Sequence, residues 1–83
     1  MQTHELKTIS PAFQAIISGE KSFEIRENDR NFQVGDVLLL IEVEPTPSGI
    51  HQVYTGKMKE VKITYITDFK LKDGYVALSI VHI

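Results

Sequence analysis

The sequence predicts a mainly β, α+β domain: a small barrel or half-open sheet of five to six strands, plugged by one short helix near the amino terminus. Three observations lead there. One segment, opened by Ser10-Pro11, carries apolar residues at helical spacing. Most of the remaining chain either alternates with period two or runs apolar on both parities over strand-length stretches. The 83 residues show no strand–helix–strand spacing and fit one domain spanning 1–83.

Each element has its own warrant. His4-Glu5-Leu6-Lys7 is short and mixed, as an edge strand would be. Ser10 can accept from an orphan backbone N–H, and Pro11 suits the first helical position, where a missing donor costs nothing. Phe13, Ile16 and Ile17 give one apolar stripe, and Gly19 can take the left-handed conformation that ends a helix, so the helix runs over Pro11–Ser18. Phe23 and Ile25 then alternate with Ser22, Glu24 and Arg26, the pattern of a half-buried strand. Glu27 to Asn31 is polar and turn-like. Val37 to Val43 begins apolar on both parities, as expected of a strand covered on two faces. Pro45, Pro47 and Gly49 mark a loop. Gln52–Tyr54 and Met58–Thr67 read as two strands around a Thr55-Gly56 turn. In the second, Val61, Ile63 and Tyr65 share the core parity, and Ile66 breaks the alternation as a bulge or strand end would. Asp73-Gly74 is a turn pair, and Tyr75 to Val81 is the last strand.

Composition narrows the function. Nine Lys+Arg against eleven Asp+Glu give a formal net charge of −2. Sequence-independent duplex binding runs on counterion release by a dense basic surface, so coating of duplex DNA is excluded and any nucleic-acid contact must be local. The absence of cysteine removes disulfides, thiolate zinc sites and cysteine nucleophiles. His4, His51 and His82 are scattered without a helical i,i+4 pair, so no metal and no cofactor is expected. The longest apolar run, Val37 to Ile41, is far below the roughly 20 residues of a membrane span. The first residues lack signal character. A soluble, cytoplasmic protein that does not engage membranes is the expectation.

The chemistry concentrates in Gly19-Glu20-Lys21-Ser22-Phe23-Glu24-Ile25-Arg26. Period two puts Glu24 and Arg26 on one face, roughly 6–7 Å apart along the strand, close enough for an ion pair or a joint grip on one polar ligand. Lys21 falls on the other parity, but at the strand entrance it can swing to the same mouth. An amine nucleophile needs a neutral lysine, and a neighbouring carboxylate works against that. A charged Lys21 with Glu24 and Arg26 therefore suits recognition of a phosphate, carboxylate or base edge. Asn28 can read an amide or base edge and Arg30 can meet a phosphate. Among the tyrosines, Tyr75 at a strand mouth is a better candidate than Tyr54 or Tyr65 for stacking on a base.

The same segment carries G-x-K-x-x-E-x-R at Gly19, Lys21, Glu24 and Arg26. It is followed by Asn28-Asp29-Arg30, by Val34-Gly35-Asp36 leading into Leu38-Leu39-Leu40, by Tyr54-Thr55-Gly56 and by Gly74-Tyr75-Val76-x-Leu78. In these features nearly the whole chain resembles a small bacterial and phage branch of the ASCH (activating signal cointegrator homology) family in the PUA-like superfamily. The resemblance implies a PUA-like β-barrel with the signature lining a cleft between barrel and helix, and binding of RNA or a nucleotide-like ligand. Lys21, Glu24 and Arg26 are then the expected ligand contacts, with Asn28, Arg30 and Tyr75 beside them. Some small relatives are amidohydrolases acting on N4-acetylcytidine, and others are proposed ribonucleases. This makes a small hydrolase, with Lys21 and Glu24 as its catalytic pair, the alternative. The chain departs from the amidohydrolases: Glu24 stands where they carry a threonine, and the insertion that supplies their glutamate is reduced to Asp68–Gly74. A protein-interaction module is the third reading, which a flat apolar patch in place of a cleft would favour.

Overall fold

The computed structural model describes residues 1–49 and 51–83. The protein is mostly β, and the described residues form one five-stranded sheet and one short helix. The elements are β1 (Thr3–Ile9), α1 (Ser10–Ser18), β2 (Phe23–Glu27), β3 (Val37–Pro45), β4 (Gln52–Thr67) and β5 (Tyr75–His82). Their order across the sheet is β1-β3-β4-β5-β2. β1 and β3 run parallel, and the other neighbours are antiparallel. Laid flat, such a sheet would hold its outer strands about 19 Å apart, at ~4.8 Å per strand spacing. Yet Arg26 of β2 donates to the Lys7 carbonyl of β1. The sheet is therefore curled into a half-barrel, and a seam runs between β1 and β2. Among the described residues, no helix is long and apolar enough to cross a membrane.

The core fills the concave side. Leu6, Leu38, Leu40, Val61, Ile63, Val76, Leu78 and Ile80 point inward from the strands. Phe13 and Ile16 cover them from α1, and Phe32 enters from the β2–β3 loop. A helix of nine residues is too short to stand alone in water, so these two side chains, worth about 1.5–3 kcal/mol each when fully buried, hold it in place. Gly19 ends α1 as its sequence position suggests, with φ of 85° and its N–H donating to the Ile16 carbonyl.

Several details differ from the sequence expectations. Ser10 is the first helical residue rather than a side-chain cap, and its hydroxyl donates to the Val43 carbonyl, tying α1 to β3. Ile17 lies at the rim of the helix, outside the buried face formed with Ala12 and Ala15. The segments on either side of Thr55-Gly56 form one continuous strand, so the sheet has five strands and not six. Gly56, at φ 89°, sits in a bulge where β4 has extra residues opposite Glu42. A second irregularity inserts Thr64 between Ile63 and Tyr65. It resets the alternation, so Ile66 turns inward and Tyr65 stands 62% exposed instead of joining the core.

The most consequential departure is in β2. An alternating strand ordinarily turns its apolar parity inward, and β2 does the reverse. Glu24 pairs with Leu78 and Arg26 with Val76, so both follow those inward side chains into the barrel mouth while Phe23 and Ile25 face out.

Candidate ligand-binding site

The inward turn of β2 builds the site. Glu24 is only 3% exposed, and each carboxylate oxygen accepts from a cation: Oε1 from Lys21 Nζ at 2.5 Å, Oε2 from Arg26 Nε at 2.8 Å. Lys21 precedes the strand, which frees it from the strict alternation. Its backbone N–H donates to the Ala15 carbonyl, so the end of α1 sets where its side chain starts. The ammonium also lies 5.0 Å from the centre of the Phe23 ring. Arg26 continues across the seam, its Nη2 donating to the Lys7 carbonyl at 3.0 Å and to Thr8 Oγ1 at 3.3 Å. One buried carboxylate thus orients two half-buried cations of opposite approach.

These side chains border a cleft of about 430 Å³ between β1, the start of α1 and β2. Its walls include Lys7, Thr8, Ala12, Phe23 and Ile25 beside Lys21, Glu24 and Arg26. Three cations and one anion line it, a local excess of positive charge in a chain of net negative charge. Lys21 uses one of its three N–H groups on Glu24, and Arg26 keeps its Nη1 pair beyond the bonds it makes to Glu24, Lys7 and Thr8. The arrangement can donate several charge-assisted hydrogen bonds to one anionic or carbonyl group. It is poorly arranged for Glu24 to act as a general base, because both oxygens already hold cations.

The other sequence candidates are distributed differently. Arg30 reaches the seam from the β2–β3 loop, with Nη1 donating to the Glu5 carbonyl at 2.6 Å. Asn28 sits in the β2–β3 loop, where its Oδ1 accepts from the Phe32 N–H at 3.0 Å and closes the turn that delivers Phe32 to the core. Tyr75 does not join the group. It pairs with Glu27 on the outward parity of β5, has the Lys72 ammonium 5.7 Å from its ring, and is absent from the cleft walls.

Two buried polar clusters were not anticipated. Asp36 accepts from His4 Nε2 at 2.8 Å and from the backbone N–H groups of Gln2 and Gln33, and these bonds, that of His4 foremost, hold its carboxyl below the ordinary value. The His4 ring meets Phe32 edge-on at 4.9 Å. Glu42 accepts from Thr55 Oγ1 at 2.6 Å and from Gln14 Nε2 at 2.8 Å, which likewise lower its pKa. A signal for Glu42 existed: it occupies the inward parity of Leu38 and Leu40, where a carboxylate needs partners. No group of three or more metal-ligating side chains occurs among the described residues.

A family profile described as "Domain of unknown function (DUF3850)" matches residues 3–80. Among curated proteins, the chain is 37% identical over 65 residues to a protein of Escherichia phage P2 described as "Uncharacterized 12.9 kDa protein in GpA 3'region". That match covers 78% of this chain and 54% of the relative, so the chain spans about half the length of the curated relative it matches.

Proposed function

The chain belongs to the family described as a domain of unknown function (DUF3850), and on that premise we propose that it is an ASCH-type, PUA-like domain that binds RNA or a nucleotide-like ligand at the β1–β2 seam. The observation that carries this reading is the buried Glu24 carboxylate holding Lys21 and Arg26 beside an open cleft. Burying a carboxylate is costly, and a core position filled by an apolar side chain would serve stability as well. What Glu24 adds is orientation: two cations fixed in place before a ligand arrives, which lowers the ordering cost of binding. Lys21 and Arg26 meet the phosphate or carbonyl oxygens, and Glu24 positions them. The role is recognition in the cytoplasm rather than turnover.

Calorimetric titration with uridine monophosphate tests this. Wild-type protein is expected to bind, and Lys21→Met to weaken binding by about tenfold or more, the value of one charge-assisted hydrogen bond. Arg26→Lys, which keeps the charge but loses the fork, is expected to weaken it comparably. Wild-type affinity in Lys21→Met would remove the cleft from consideration. Incubation with N4-acetylcytidine and with single-stranded RNA serves as the catalytic control: turnover lost in Lys21→Met would replace the binding reading with the hydrolase one.

A further inference from the structure

The seam holds a second cleft beside the first. It measures about 400 Å³ and is bordered by Glu5, Lys7, Arg26, Arg30, Ile41 and Tyr54. Lys7 and Arg26 belong to both clefts, so the two adjoin across the β1 edge. Their composition repeats. Each has three cations against one carboxylate, and each has one solvent-exposed aromatic ring at its wall: Phe23, 45% exposed, in the first and Tyr54, 57% exposed, in the second. In each, a lysine ammonium lies against that ring, Lys21 at 5.0 Å from Phe23 and Lys7 at 5.7 Å from Tyr54. Arg26 is the shared element, and Arg30, donating to the Glu5 carbonyl, fixes the cationic wall of the second cleft.

A repeated unit of cation plus flat ring matches a ligand that repeats an anion plus a flat ring. Single-stranded nucleic acid has that chemistry, and proteins that take it combine a cationic track with aromatic platforms for successive bases. We infer that the seam is a two-nucleotide track for single-stranded RNA, with one phosphate at Lys21 and Arg26, the next at Arg30 and Lys7, and Tyr54 as a stacking platform in the second position. This rests on the binding reading given above and adds to it three residues, Lys7, Arg30 and Tyr54, and a ligand length. Duplex RNA is a poor fit, because its bases are stacked on one another and closed to the rings.

The test measures affinities for uridine monophosphate and for 5′-phosphorylated oligouridylates of two and four nucleotides, by competition against a fluorescent oligouridylate. The dinucleotide is expected to bind at least tenfold more tightly than the mononucleotide, with little further gain at four. Dinucleotide affinity is expected to fall more steeply with added salt than mononucleotide affinity, since a second phosphate is paired with cations. Tyr54→Ala and Arg30→Gln, made separately, are expected to lower dinucleotide affinity about tenfold and leave the mononucleotide unchanged. Equal affinities for one and two nucleotides, with mononucleotide binding still lost in Lys21→Met, would overturn the two-position track and leave the single cleft standing. Absence of binding to any of the three would overturn both.

Discussion

Glu24 and Glu42 make an instructive pair. Both carboxylates are 3% exposed, both sit on the inward parity of a strand, and both have each oxygen engaged. Their partners differ in kind. Glu42 is held by the neutral side chains of Gln14 and Thr55, which tie the helix and the β4 bulge to β3. The Ser10 hydroxyl and, at longer range, the Lys57 charge also favour its ionised form, and the cluster borders neither seam cleft. Glu24 is held by two cations that retain donors and line an open recess. A buried acid with neutral partners braces a fold. A buried acid that restrains cations at an opening prepares a surface for an anion. The same burial therefore supports two different roles, and the partners decide which.

Substitutions can separate the two roles. The largest effect is expected for Glu24→Ala, which removes the common partner of Lys21 and Arg26. Breaking a buried ion pair costs about 3–5 kcal/mol, so both ligand affinity and thermal stability should fall together, read by titration and by a melt. Glu42→Ala should lower the melting temperature by roughly 10 °C while the folded protein binds within twofold of wild type. Loss of binding there would mean that the helix anchor also shapes the cleft.

Acid titration sharpens the contrast at smaller amplitude. Asp36 and Glu42 have pKa values below their ordinary 3.8 and 4.5, because His4, Gln2 and Gln33, and Thr55 and Gln14, favour the charged forms. A group whose folded pKa is depressed contributes stability that is complete above its unfolded pKa and lost as pH falls through the folded one. Melting temperature should therefore hold steady above about pH 5 and fall as pH drops below 4.5 and then 3.8. Glu42→Gln should make that fall shallower. A melting temperature independent of pH between 5 and 3 would contradict the assigned partners. The smallest effect belongs to Tyr65→Ser on the outer face, expected to leave binding unchanged and the melt within about 2 °C.

Much of this was legible in the sequence. Ser10-Pro11, the apolar helix stripe and Gly19 located α1 to within a residue, because proline's place in a first turn and glycine's left-handed stop are local effects, although Ser10 itself does not cap the helix. The Glu24–Arg26 spacing and the position of Lys21 located the ion cluster, because strand parity places i and i+2 on one face. What was hidden depended on partners distant in sequence. The reversed parity of β2 comes from its register with β5. Tyr65 left the core because one inserted residue, Thr64, reset the strand. Tyr54, rather than Tyr75, borders the second cleft because β3 pairs with both β1 and β4, which sets Tyr54 opposite Val43, two residues along from the Ile41 partner of Lys7. His4 and Asp36 lie 32 positions apart, and neither marks the other in a linear reading.

The claim that Glu24 prepares a cationic recess is tested most directly by amide chemical-shift mapping during titration with uridine monophosphate. The amides of residues 7–10, of Ala12 and of residues 21–26 are expected to move together and saturate at one affinity. Shifts confined to residues 57–65 on the opposite strand, or no shifts at millimolar ligand, would contradict it.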